Sequence, residues 1–80
     1  MELKPSRTAC RELSELGLDL FDVLDILENG YDCERSKRKV GTVERCKRDG
    51  RKVLKVVVVD SLQEWDESRV WLVVHAGAIQ

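Results

Sequence analysis

Apolar residues recur at two different periods along this 80-residue chain. In the first thirty positions they fall three and four apart. Ala9, Leu13 and Leu16, with Cys10 beside them, mark one stripe; Leu20, Val23, Leu24 and Leu27, flanked by Phe21 and Ile26, mark a second. That spacing lines one face of an α-helix. Ser6 suits the start of the first helix, because its hydroxyl can accept from a free backbone N–H two or three residues on. Gly17 suits its end, where a left-handed residue closes the last turn. Asp19 and Asp22 form an acidic version of the capping box and favour the positive end of the second helix. Asn29-Gly30 stops it.

Beyond Gly30 the period shortens to that of strands. Tyr31 to Glu34 is a short extended candidate and Val40 to Lys47 a second. Val53 to Val59 is the clearest. Its β-branched run predicts burial on both faces and a central place. Arg69 to Ala76 is the last strand, with Trp71 and Val73 on one face and Val70, Leu72 and Val74 on the other. Asp49-Gly50 tolerates the positive φ of a tight hairpin turn. Asp60 to Ser68 reads as an acidic loop. The expectation is α+β: one domain over residues 1–80, with two N-terminal helices on one face of a three- or four-stranded antiparallel sheet.

Composition narrows the class. A hydrophobic fraction of 42% suffices for a packed core and argues against disorder. No apolar run approaches the ~18 residues that span a bilayer. The opening Met1-Glu2-Leu3-Lys4-Pro5 has no apolar leader. No membrane is expected, and the cytoplasm is the expected location.

Charge placement says more than net charge, which is only −1. Between Arg35 and Lys55 ten basic residues face two acidic ones, a local +8, leaving −9 on the rest. Lys37, Arg38, Arg45, Lys47, Arg48, Arg51 and Lys52 therefore make a candidate phosphate-binding surface, since each neutralised phosphate releases counterions. Two other uses stay open. The same cations would accept an acidic protein, or the acidic helices of a second copy in a homodimer. They would also protect a sheet edge from aggregation.

Other chemistry is sparse. His75, the only histidine, is a candidate general acid or base because imidazole exchanges protons near neutrality. Arg69 is a candidate for stabilising charge beside it. Cys10, Cys33 and Cys46 lack the paired spacing of structural zinc. They read as reduced, half-buried residues in a cytosolic chain, with a metal site joining them to His75 as an alternative. No cofactor is expected.

Leu13-Ser14-Glu15-Leu16-Gly17-Leu18-Asp19, then Val23 to Gly30, then Asp49 to Val59 and Arg69 to His75, together resemble a family of small prokaryotic domains distantly similar to RelE/ParE-type toxins. The resemblance covers most of the chain. It implies a RelE-like fold, RNA binding with mRNA cleavage through the basic β-hairpin, and an antitoxin as protein partner. The chain departs from that family's first helix, which often carries a His-Ala pair and an arginine one turn later. Here those positions are Thr8-Ala9 and Glu12.

Overall fold

The computed structural model describes residues 2–33, 41–62 and 69–79. Along the chain these form β1 (Leu3–Pro5), α1 (Arg7–Leu16), α2 (Leu20–Asn29), β2 (Tyr31–Asp32), β3 (Thr42–Asp49), β4 (Lys52–Leu62) and β5 (Arg69–Ile79).

Both helices begin and end where the local chemistry predicts. Ser6 Oγ accepts from Ala9 N at 3.0 Å. Gly17 adopts φ 71° and its N–H reaches back to Leu13 and Ser14 carbonyls, which satisfies groups the helix leaves unpaired. Asp19 and Asp22 accept reciprocally from each other's backbone N–H at 2.9 Å. At the end of α2, Gly30 is required for space. A Cβ there would collide with the Ile26 and Cys46 carbonyl oxygens.

Among the described residues the sheet has five strands, in the order β1-β5-β4-β3-β2. Neighbours pair antiparallel except β1, which runs parallel to β5 with Leu3 opposite Trp71. The sheet is therefore mixed and larger than the three or four antiparallel strands expected. A three-residue strand ending in proline carries no periodic signal, and proline fits an edge because it has no N–H to donate. Two further boundaries move. β4 continues to Leu62, into the segment expected to be loop, and β2 is only two residues long.

The helices cover one face, with α1 over β5 and α2 over β3 and β4. Ala9, Leu13, Val23 and Ile26 pack there against Leu54, Val56, Val58, Val73 and Ala76. Each fully buried valine or isoleucine contributes about 1.5–3 kcal/mol. β4 is central as expected, but it is not buried on both faces. Val53, Val57 and Val59 point the other way and are half-exposed, because neither described helix lies on that side. We call the covered side the inner face and the other the outer face.

One irregularity matters for function. Val57 pairs with His75 but Val58 pairs with Val73, so Val74 is the extra residue of a β-bulge. Strict alternation would put Val73 and His75 on the same inner face. The bulge reverses the phase, leaving Val73 and Ala76 in the core and His75 outside.

Candidate active site

Strand alternation sorts the hairpin cations onto two sides. Arg45 and Lys47 lie opposite the core residues Val56 and Leu54 and so face the helices. There Arg45 Nη1 donates to Asp32 Oδ1 at 3.0 Å and Nη2 to the Gly30 carbonyl. Lys47 donates to Asp25, the carboxylate that also accepts from Asn29 Nδ2 at 2.7 Å. The hydrogen bond from Lys47, helped by that from Asn29, holds the Asp25 carboxyl below its ordinary 3.8. These two cations tie α2 and β2 to the hairpin. Arg48 faces outward, opposite Val53. Arg48 and Arg51 are exposed at the tip, with Lys52 half-exposed beside them. Lys37 and Arg38 lie outside the described residues.

The outer face also gathers acid–base groups from three strands and a helix. Glu44, Val57 and His75 form one row across β3, β4 and β5. At ~4.8 Å between strands, Glu44 and His75 stand two spacings apart with a small apolar side chain between them. In the next row Lys55 stands opposite Cys46 and Gly77, and its Nζ lies 3.4 Å from Glu44 Oε2. Gly77 leaves the floor beside Lys55 bare. Because β1 stops at Pro5, the edge of β5 is open beyond Val73. Glu12 of α1 reaches round it. Its Oε1 lies 3.3 Å from His75 Nδ1 and accepts from Ala76 N at 3.4 Å. Together these residues line a shallow concavity of about 370 Å³. With Nδ1 engaged, His75 has Nε2 left for a substrate, and a second carboxylate stands across the hollow.

The nominated partner Arg69 is not there. It pairs with Asp60 Oδ2 at 2.6 Å on the inner side, at the opposite end of β5. Glu12, Glu44 and Lys55 are the functional candidates that linear reading missed. Glu12 was the departure from the family's first helix, and the contact it makes with His75 depends on the bulge.

The cysteines do not read as expected. Cys33 and Cys46 are joined in a disulfide, Cα–Cα 5.4 Å, that fastens β2 to β3. Their sulfurs are engaged with each other, and Cys10 sits exposed on α1. Among the described residues no group of three or more His, Cys, Asp or Glu side chains could hold a metal.

Among these residues, too, no helix is long and apolar enough to cross a membrane. Comparison with family models, curated proteins and solved structures returns no match. The functional reading therefore rests on the chain's own geometry.

Proposed function

We propose that this chain is a RelE-like domain that binds and cleaves RNA on its outer sheet face. The observation that carries the reading is the row Glu44–Val57–His75 with Glu12 behind the imidazole. It sets two proton-transfer groups on either side of an open hollow. Among the described residues, no side chain lining that hollow is a serine or cysteine nucleophile. RNA needs none, because its 2′-hydroxyl is the nucleophile.

The reaction follows from the placement. The Glu44 carboxylate takes the 2′-hydroxyl proton as that oxygen attacks the adjacent phosphorus. The bond from phosphorus to the 5′-oxygen breaks, and the His75 imidazolium gives that oxygen a proton from Nε2. The products are a 2′,3′-cyclic phosphate and a free 5′-hydroxyl. Lys55 supplies positive charge to the phosphate where charge develops, and Glu12 keeps the imidazole oriented. Arg48 lies on the same face four residues from Glu44, about 13 Å at 3.3 Å per residue. With Arg51 and Lys52 it holds the flanking backbone. An acidic antitoxin segment would compete for the same cations. An mRNA substrate places the reaction in the cytoplasm, where the buried sulfurs of Cys33 and Cys46 are shielded from attacking thiolates.

The test is cleavage of a labelled RNA oligomer. His75→Ala and Glu44→Gln should each slow the single-turnover rate by about a hundredfold or more while leaving affinity unchanged. Arg48→Glu with Arg51→Glu should weaken binding and flatten its salt dependence. Cleavage of a substrate that carries a 2′-deoxy nucleotide at the scissile position, or no RNA binding at low salt, overturns the reading.

A further inference from the structure

We propose that the outer face carries a base-stacking subsite beside the cleavage hollow, where the ring of a nucleotide flanking the scissile phosphate lies against Tyr31. It rests on the cleavage reading and assigns a site to a part of the substrate that Glu44, His75 and Lys55 do not hold.

Among the described residues three large apolar side chains stand open to solvent: Phe21, Tyr31 and Ile79. Single exposures of this kind are ordinary. Two of the three, however, meet at one place. Tyr31 of β2, 47% exposed, and Ile79 of β5, 55% exposed, line the same hollow of about 310 Å³, together with Cys33, Cys46, Val53 and Lys55. That volume falls at the low end of small-molecule sites, roughly 300–1,000 Å³, and suits one ring system. Tyr31 and Ile79 stand three strand spacings apart, about 14 Å at ~4.8 Å each, so a planar ring fits between them. The Cys33–Cys46 bond fastens β2 to β3 at this hollow. Tyr31 is thereby held in place before a ring arrives, which lowers the cost of binding.

Position ties the hollow to the reaction. Tyr31, Cys46, Lys55 and Gly77 form one cross-strand row. On one side of it lies the row Glu44–Val57–His75, and on the other the row Arg48–Val53–Ile79. An RNA backbone that runs from the scissile phosphate to Arg48 therefore crosses the Tyr31 row. Lys55 lines both hollows, so the base that falls here belongs to a nucleotide next to the cut. The lining also decides how that base is read. Among the described residues the only side-chain nitrogen or oxygen groups there are the Tyr31 hydroxyl and the Lys55 ammonium, and Lys55 turns its Nζ toward Glu44. Telling bases apart takes a matched set of donors and acceptors, whereas an aromatic face accepts any of them. The subsite is therefore sequence-tolerant.

The experiment measures the affinity of the parent chain for an RNA oligomer with a 2′-deoxy nucleotide at the scissile position, which binds without being cut. Bases are replaced one at a time by an abasic residue. Binding should weaken about tenfold or more at one nucleotide flanking the cut. Exchanging purine for pyrimidine there should change affinity less than about threefold. Tyr31→Ala should lose the same factor on the intact oligomer and nothing further on the abasic one, and Tyr31→Phe should keep the parent affinity. Abasic oligomers that all bind as tightly as the intact one, or a Tyr31→Ala loss that persists in full on abasic RNA, overturns the subsite while cleavage stands. Absence of RNA binding at low salt removes the cleavage reading as well, so the two failures are separable.

Discussion

Glu12 and His75, 63 positions apart, meet across the open edge of β5, with carboxylate oxygen and Nδ1 at 3.3 Å. If Glu12 positions the imidazole rather than touching substrate, Glu12→Gln should lower kcat about tenfold and leave KM unchanged. Glu12→Asp should recover part of the loss. Stability should change by less than about 1 kcal/mol, as for other exposed pairs. A matching fall in affinity would show Glu12 at the substrate instead.

The bulge at Val74 makes its own prediction. Deleting Val74 would make Val73 and His75 neighbours, and regular alternation would then keep Val73 in the core and His75 on the outer face opposite Val57. Cleavage should survive the deletion. Loss of cleavage with an unchanged urea midpoint would show that the bulge itself shapes the site.

The Cys33–Cys46 bond closes a loop with a sequence separation of 13. In the chain-entropy picture such a crosslink stabilises by about 3 kcal/mol. Replacing both cysteines with serine should lower the urea-unfolding free energy by about that amount. Unfolding the parent chain and refolding it in reductant should give the same result, and reductant should leave the double variant unaffected.

Asp25 gives the molecule an acid-sensitive contact. Its folded carboxyl titrates below the ordinary 3.8 because Lys47 and Asn29 bond the charged form. A depressed carboxyl adds stability above its unfolded value and loses it as pH falls through the folded value. Asp25→Asn should therefore lower the melting temperature near neutrality and flatten its decline below about pH 4. Parallel decline in both proteins would remove Asp25 from that role.

Gly30 sits where α2 hands the chain to β2. Gly30→Ala forces a Cβ against the carbonyl oxygens of Ile26 and Cys46. A loss of roughly 1–3 kcal/mol is expected, as for other overpacked positions, read from the denaturant midpoint. The same substitution at Gly77, where a Cβ meets nothing within 4 Å, should be nearly silent for stability.

Local signals carried the helices and the hairpin. Ser6, Gly17, the Asp19–Asp22 box and Asp49-Gly50 each act on backbone groups a few residues away, so the linear order contains both partners. Long-range relations were hidden. β1 is recognisable only beside β5, and the Cys33–Cys46 bond only once β2 lies against β3. Charge placement located the hairpin cations, yet alternation then turned Arg45 and Lys47 toward α2 and Arg48 away from it. His75 was visible as the lone histidine. The face it occupies was not, because one bulged residue reverses the count after Val73.

The parallel strand at the beginning of the chain has a temporal consequence. Ser6 donates from its backbone to Val73 and from its hydroxyl to Val74, 68 positions away. Closing so wide a loop is slow relative to helix or hairpin formation. α1, α2 and the β3–β4 hairpin have the local contacts to assemble early. The opening residues must wait for the last strand, so the edge of β5 stays unguarded until the very end of folding.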